Sequence, residues 1–529
     1  MFIPLTPLRC LHRAMDLFGD KTGVICGGTS FTYRQFGERC QKLAAGLSAT
    51  GIGPGDRVAY LSFNNHQLLE GYYGVIQAGA VVMPLNVRLS AGELVNILNH
   101  SGARMLVFET DFLPHAEQIK ANCPGVEHLV SIGGPASLAT LDYEDIVARG
   151  APRRADIMAV DENAVAELFY TSGSTGTPKG VTLSHRTLYL HALDLVSIYD
   201  NPSTIVDLHT IPLFHANGWG KPQVSTMLGV TQVMVRRFEP AGVFQLIAAH
   251  RATHMSLVPT MANALINAPD LAAADLSSLR QVTIGGAASS PELVERVESA
   301  LGCECLSGYG LTETSPVLTT SRHKGTFDYA DDAARRRFQS MAGWPIPGVE
   351  VRVVDYDMND VPRDMTAIGE VVARGDQVMD GYYRESEQTA AVMTGAWFHT
   401  GDMAVWNDEG YIHIVDRKKE IIISGGENIS SLEVEKAIFA HPAVFECAVV
   451  AAPDDKWGEV PAAIVVLKPD QELSESALIA FLQQRLGKYK IPRTIRFQSD
   501  TLPKTGTGKI RKMVLKEQFW AGKTKRVQG

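Results

Sequence analysis

At 529 residues, 45% hydrophobic and 20% charged, the chain is long enough to bury a large core and to form more than one domain. A formal net charge of −9, with Lys and Arg scattered, leaves no basic face for nucleic acid. Seven cysteines, an odd number spread from Cys10 to Cys447, do not make a disulfide framework and suit a reducing compartment.

The first twenty residues, MFIPLTPLRCLHRAMDLFGD, lack a basic start followed by a long apolar core, so no signal peptide is expected and a cytoplasmic location is. Residues 23–32 predict a hairpin turning at Gly27 and Gly28, and Thr32 is placed to cap a helix from Tyr33 to Ser48. A strand at Arg57–Leu61, a helix at Gln67–Gln77 and a strand at Ala80–Pro84 follow; a helix at Ala91–Asn99 and a strand at Arg104–Phe108 repeat the alternation. That βαβα rhythm predicts parallel sheet with helices on both faces. The most apolar window, Gly71–Leu85, is broken by Gln77, glycines and Pro84 and is too short for a membrane helix.

Residues 148–163, polar and carrying Pro152, Arg153 and Arg154, predict an exposed connection. A second α/β block runs from Val181 to Leu306, with strands at Gln232–Val235, His254–Val258 and Gln281–Ile284. Cys303 and Cys305 belong in or beside a strand, since no second Cys/His pair stands at zinc-site spacing. Residues 321–340, with a triple arginine, predict a solvated loop, and from Val349 short strands with Gly/Asp turns predict a β subdomain. Beyond Asp416 come a helix at Ser431–Ala440, strands at Glu446–Ala451 and Ala462–Leu467, and a helix at Ser474–Leu486, a separate small α+β domain.

Between these blocks lies LFYTSGSTGTPKG, residues 168–180. Gly173, Gly176 and Gly180 permit backbone angles that a Cβ resists, successive amides form an anion-holding concavity, and Lys179 adds a mobile positive charge. An ordinary P-loop needs Gly before the lysine and Ser or Thr after it, where this chain has Pro178 and Gly180. A flexible Ser/Gly surface loop is the other reading of the stretch taken alone.

The stretch resembles the phosphate-binding motif of the adenylate-forming superfamily of acyl-CoA synthetases, luciferases and peptide-synthetase adenylation domains. Four further motifs of that family stand in order: SGYGLTET at 307–314, HTGD at 399–402, VDRKKEIIISGGENIS at 415–430 and PKTGTGKI at 503–510. The resemblance implies an α/β fold with a large N-terminal domain, 1–415, of two helix-covered sheets plus a β subdomain. A hinge at 416–419 and a small mobile α+β lid domain, 420–529, complete it.

By the same resemblance, Thr171, Ser172, Gly173, Ser174, Thr175, Gly176, Thr177 and Lys179 hold the phosphates of ATP. Glu313 is implied as an Mg2+ ligand with the Thr171 hydroxyl, Thr312 as a contact to the α-phosphate, and Gly286, Ala287, Ala288, Gly308 and Tyr309 as the wall around adenine. Ser307 is counted with these ATP-binding residues, but it stands where relatives carry a larger polar residue, so no side-chain contact to the nucleotide is assigned to it. Asp402 and Arg417 match ribose and phosphate contacts, and Lys419 a weaker one. Lys509 matches the lysine that bridges the acid's carboxylate and the α-phosphate, while Asp416 matches the pivot about which the lid rotates. Ser424, Gly425, Gly426 and Glu427 then face the pantetheine arm of CoA.

IPLFHANGWG at 211–220 resembles the acyl-pocket motif of fatty-acyl-CoA synthetases, which places His215 and Trp219 beside Gly286 and Ala287. It contains no acidic residue to receive a substrate ammonium, which speaks against amino-acid activation. Lys488, Lys490 and Arg493 are candidates for the CoA phosphates, with ordinary solvated charge as the other reading. The implied activity is a carboxylic acid–CoA ligase using ATP, Mg2+ and CoA on a short- to medium-chain acid, with a homodimer as the implied assembly. An acyl-AMP ligase loading a carrier protein and a non-catalytic nucleotide-binding regulator are the alternatives.

Overall fold

The alternation read between residues 57 and 108 does build parallel sheet. A computed structural model of the chain describes residues 2–171, 178–425, 427–454, 456–504 and 510–520. The chain divides into two compact units, Met1–Val351 with Ala373–Phe398 and Arg352–Val372 with His399–Gly529. It passes between them inside strands Val349–Val354, Gly369–Gly375 and Trp397–Trp406, so the β segment read from Val349 onward contributes to both.

The first unit carries two large sheets. The eight-stranded one runs Gly381–Tyr382, Lys179–Ser184, Val165–Thr171, Val81–Pro84, Arg57–Leu61, Met105–Glu109, His128–Ile132 and Leu141–Asp142. Its inner pairs are parallel, and only the edge bearing Lys179–Ser184 and Gly381–Tyr382 is antiparallel. The nine-stranded sheet has a parallel centre made of Glu304–Gly310, Gln281–Ile284, His254–Leu257, Val206–His209, Thr231–Met234 and Thr22–Cys26. The N-terminal hairpin therefore joins the second sheet, with Val24 opposite Gln232, a long-range pairing that local pattern does not disclose.

Helix starts follow side-chain capping. Thr32 and Gln35 form a reciprocal capping box on helix Tyr33–Ala49, as do Ser90 and Glu93 on helix Ala91–Ser101, and Asn65 accepts from the Leu68 amide at 2.8 Å. Helix His66–Gln77 is buried on all sides through Leu68, Leu69, Tyr72, Tyr73, Val75 and Ile76. The apolar window is thus the end of this helix, a turn at Gly79 and the buried strand Val81–Pro84. Among the described residues no helix is long and apolar enough to cross a membrane.

One element corrects the sequence reading. Within 321–340, residues Asp332–Ser340 are a helix and not a solvated loop. Asp331 caps it by accepting from the Ala334 amide at 2.7 Å, Arg335 pairs with Glu298, and Arg336 Nη1 lies 2.9 Å from Glu295. Two of the three arginines, Arg335 and Arg336, are docked on helix Pro291–Leu301 while Arg337 is exposed, so charge pairing and the Phe338 ring hold the helix in place of an apolar stripe.

In the second unit, the sheet Glu427–Ile429, Ile422–Ser424, Gly458–Leu467, Val444–Asp454, with Thr494–Gln498 parallel on Gly458–Leu467, has a core on each face. Val449 and Val465 meet Val434, Ile438 and Leu478 on one side; Val450 and Ile464 meet Leu502 and Leu515 on the other, the period-two alternation of a strand buried on both faces. The strands run longer than the sequence suggested, Val444–Asp454 and Gly458–Leu467 forming a continuous antiparallel pair.

Candidate active site

In the first unit the site residues cluster where parallel strands end. Residues 210–220 follow strand Val206–His209, residues 285–288 follow Gln281–Ile284, and Thr312 and Glu313 follow Glu304–Gly310. Loops beyond the carboxyl ends of parallel strands are where open α/β sheets bind ligands.

The phosphate stretch is the loop of an antiparallel hairpin in which Thr171 stands opposite Lys179. Residues Ser172 to Thr177 lie outside the described residues, and the residues on either side of them, Thr171 and Lys179, are described. Lys179 Nζ sits 4.6 Å from the centre of the Tyr382 ring, and the Tyr382 hydroxyl donates to Glu313 Oε1 at 3.0 Å. Burial, with the Glu313 carboxylate beside it, holds the Tyr382 phenol well above its ordinary value, so it stays a donor. The Glu313 carbonyl accepts from the Met379 amide at 2.8 Å, and Tyr383 N donates to the Gly180 carbonyl at 2.7 Å. Glu313 and the hairpin are thereby gripped by one short segment, 379–383.

The turn that presents Thr312 and Glu313 is held by Thr314, whose hydroxyl donates to the Leu311 carbonyl at 3.0 Å, and by Ser315, which donates to the Gln377 carbonyl at 2.8 Å. Glu313 and Thr171 offer only oxygen donors, the set a hard cation prefers. Among the described residues no three His, Cys, Asp or Glu side chains converge as a metal site, so a divalent ion held here would draw its remaining oxygens from phosphate and water. The donor set fits Mg2+ bound together with a nucleotide.

Trp219 closes another side. A Cβ on Gly285 would lie 2.9 Å from the indole and 3.0 Å from the Gly308 carbonyl, so the ring rests directly on glycine backbone. Gly286, at φ 74°, takes the left-handed conformation that lets the chain turn away beneath the indole. Ala287 and Ala288 are exposed next to it. Residues Ala216, Asn217, Gly218, Trp219 and Gly220 are left-handed in succession, with φ between 47° and 75°. Such backbone costs about 1–2 kcal/mol for each residue with a Cβ, and strain of this kind gathers at functional sites.

The segment ahead of that turn is clamped by Asn64, which donates to the His209 and Ile211 carbonyls at 2.8 and 2.9 Å and accepts from Leu213 N at 2.7 Å. Tyr72 donates to the Leu213 carbonyl at 2.7 Å. His215 is exposed at the start of the turn. Ser307 is buried, with its hydroxyl 3.1 Å from that of Ser289. Gly308, Tyr309 and Thr312 are half-buried in the adjoining strand and turn.

In the second unit, Asp402 and Arg417 face each other across neighbouring strands, with Arg417 Nε 2.8 Å from Asp402 Oδ1. Asp402 is 3% exposed while the Arg417 side chain is half-exposed, so the pair presents a fixed carboxylate and a reachable cation. Lys419 is exposed in the turn that follows. Asp416 is buried and accepts from Arg417 N at 2.8 Å, from the Ser431 amide and hydroxyl, and from Leu432 N at 3.3 Å, which sets its carboxylate against the amino end of helix Ser431–Phe439, whose N-cap is Ser430. Burial raises its carboxyl above the ordinary aspartate value, against the pull of Lys512.

Ser424 pairs with Glu427 across a tight turn through Gly425, which has φ 60° and lies so close to the Trp457 ring that an added Cβ would sit 2.5 Å from it. Lys490 is already committed to Glu433 at 2.7 Å, which weakens its candidacy as a CoA contact. Gly426 and Lys509 lie outside the described residues. On either side of residues 505–509, Lys504 bridges Ile510, and Arg511 N donates to the Pro503 carbonyl at 2.8 Å.

Tyr382, Asn64 and Lys512 were not singled out in the sequence. Tyr382 stands in DGYYRE with no spacing that marks it, and its importance comes from pairing with a strand about two hundred positions earlier.

The family profile described as AMP-binding enzyme matches residues 11–383, and the one described as AMP-binding enzyme C-terminal domain matches 433–509. The chain is 38% identical to a long-chain-fatty-acid–CoA ligase of Thermus thermophilus over 96% of this chain and 94% of that protein. It is 36% identical to a 2-methylpropanoate–CoA ligase of Humulus lupulus over 97% of this chain and 95% of that one. A crystal structure of ATP-bound MatB from Rhodopseudomonas palustris superposes with a TM-score of 0.84 at 28% identity, covering 97% of this chain and 99% of the other.

Proposed function

The chain belongs to the AMP-binding enzyme family and is an AMP-forming acid–CoA ligase; from that premise we propose that it joins a short- to medium-chain carboxylic acid to CoA through an acyl-AMP, using ATP with Mg2+. The observation that carries the reading is the convergence of Lys179 and Glu313 on Tyr382 at the strand ends, a cation and a carboxylate set for a metal-bound polyphosphate.

In the first half-reaction a carboxylate oxygen of the acid attacks the α-phosphorus, and the bond to the bridging oxygen breaks as pyrophosphate leaves. The chain's task is positioning and neutralising charge that grows on the phosphates. Lys179 and the hairpin amides hold the β- and γ-phosphates, Thr312 meets the α-phosphate, Asp402 accepts from the ribose hydroxyls, and Arg417 and Lys419 add cationic contacts. Gly286, Ala287, Ala288, Gly308 and Tyr309 flank adenine. Lys509 spans the attacking carboxylate and the α-phosphate. Glu313 and Thr171 would hold the Mg2+, whose chemistry is to offset negative charge on the phosphates.

In the second half-reaction the CoA thiol attacks the acyl carbon and AMP departs with the electron pair of the broken C–O bond. Lys509 withdraws as the chain turns about Asp416, and the Ser424–Glu427 turn guides the pantetheine arm. The seven free cysteines support a cytoplasmic, reducing setting.

The test is AMP release with ATP, Mg2+ and a ladder of C2 to C16, branched, aromatic and thioether acids, each with and without CoA. A CoA-dependent maximum at one chain length supports the proposal. Equal AMP release with and without CoA, together with transfer to a carrier protein, replaces it with the acyl-AMP ligase reading; nucleotide binding without pyrophosphate exchange replaces it with the regulator.

Trp219 lies against Gly285 and Gly286 and acts here as a wall of the acyl pocket, beside the exposed His215. Trp219→Ala is expected to shift the ratio of kcat/KM between the best acid and one two carbons longer by about tenfold or more, the scale on which apolar pockets discriminate methylenes. ATP affinity should change far less. An unchanged acid profile would remove Trp219 from the pocket.

A further inference from the structure

Tyr382 touches two of the groups to which the phosphate end of ATP is assigned, yet no role of its own follows from that assignment. The residue is 9% exposed; its ring lies under Lys179 Nζ at 4.6 Å, and its hydroxyl donates to Glu313 Oε1 at 3.0 Å. Its backbone is fixed independently: Tyr382 pairs with Val181 on the strand that begins at Lys179, and its amide donates to Thr389 Oγ1 at 2.9 Å. Two residues earlier, Asp380 N donates to the Thr182 carbonyl at 3.1 Å, and Met379 N holds the Glu313 carbonyl at 2.8 Å.

The cation and the carboxylate come from different sheets and have no local reason to keep a fixed separation. Lysine is a flexible point charge, and glutamate has three side-chain torsions. One rigid phenol that stacks with the first and hydrogen-bonds the second removes that freedom without neutralising either charge.

We propose that Tyr382 is a positioning residue for acyl-AMP formation: it holds Lys179 over the β- and γ-phosphates and aims the Glu313 carboxylate at the metal that accompanies them. This rests on the ligase reading above. It makes Tyr382 specific to the half-reaction that contains pyrophosphate. The thiol step, in which pyrophosphate has already gone, does not need it.

The two contacts separate by substitution. Tyr382→Phe keeps the ring under Lys179 and loses the hydrogen bond to Glu313; Tyr382→Leu loses both. Mn2+ affinity is read by electron paramagnetic resonance in the presence of α,β-methylene-ATP, alongside acid-dependent pyrophosphate exchange and thioester formation from supplied acyl-AMP. For Tyr382→Phe, Mn2+ binding should weaken about tenfold, the scale of one hydrogen bond to a charged group. Exchange should slow by a similar factor, with thioester formation within about twofold of the parent. Tyr382→Leu should in addition weaken binding of the nucleotide analogue measured without metal.

Because Tyr382 acts through Glu313, the Mn2+ losses of Tyr382→Phe and Glu313→Gln should not add in the double variant. Unchanged Mn2+ affinity in Tyr382→Phe overturns the proposal, and so does an equal loss in both half-reactions, which a general folding defect would produce. If the parent protein catalyses no exchange with any acid, the ligase reading falls, and the Mn2+ and double-variant measurements still decide the role of Tyr382.

Discussion

Lys509→Ala is expected to lower the rate of acyl-AMP formation by at least about 10²–10³-fold, the effect of removing one preorganised donor from a developing negative charge. Thioester formation from supplied acyl-AMP should stay within a few-fold of the parent. The asymmetry follows from the chemistry: only the first step needs a cation between two negatively charged reactants, the carboxylate and the α-phosphate. Separate assays of pyrophosphate exchange and of CoA consumption with synthetic acyl-AMP check it, and equal losses in both would show that Lys509 does not divide its time between two arrangements.

Lys512→Met is expected to destabilise the protein by about 3–5 kcal/mol, the cost of leaving buried carboxylates without their cation. Lys512 is 11% exposed and lies 2.9 Å from Glu435, 3.2 Å from Glu420 and 2.7 Å from Ser431 Oγ, the same hydroxyl that donates to Asp416. Burial pulls the lysine down, but Glu435, Glu420 and Asp416 outweigh it and leave it raised. Burial also raises the Glu435 and Asp416 carboxyls, which Lys512 restrains.

Without that restraint both acids rise further, so the folded variant takes up protons at a pH where the unfolded chain does not. The deficit in stability should therefore be largest at neutral pH and above, and shrink as pH falls through the raised carboxyl values. Thermal unfolding midpoints of parent and variant across pH 5 to 8 test this, and a difference independent of pH would mean that lost packing and not lost charge is the cause. The same cluster joins the start of helix Lys512–Trp520, three positions past Lys509, to Asp416, so Lys512→Met should also slow acyl-AMP formation more than the thiol step.

Capping residues and strand alternation made much of the architecture legible. Thr32, Ser184, Ser430 and Ser474 each cap the helix that follows, and strands such as Arg57–Leu61 and Gln281–Ile284 lie where hydrophobic runs stop at turn residues. Where charge pairing replaced an apolar stripe, pattern reading failed: Arg335 and Arg336 look solvated until Glu298 and Glu295 on another helix are brought beside them. The long strand pair Val444–Asp454 and Gly458–Leu467 was read short because Pro453, Asp454 and Pro461 look like turn residues, yet each pairs in register.

By itself the sequence determined the family and the order of its motifs, the glycine- and hydroxyl-rich stretch at 168–180, YGLTE, HTGD and PKTGTGKI, and the roles proposed for Glu313, Asp402 and Lys509 rest on the resemblance those motifs carry. Tertiary structure alone decided what holds those parts still. Tyr382 reaches Glu313 and Lys179 only because Gly381–Tyr382 adds to a strand two hundred positions away, Asn64 clamps residues 209–213 from another loop, and Lys512 closes on Asp416 through Ser431. Reactive groups are conspicuous because their chemistry restricts the residue type, whereas a positioning group is defined by what it touches, and contact across hundreds of residues leaves no local signature.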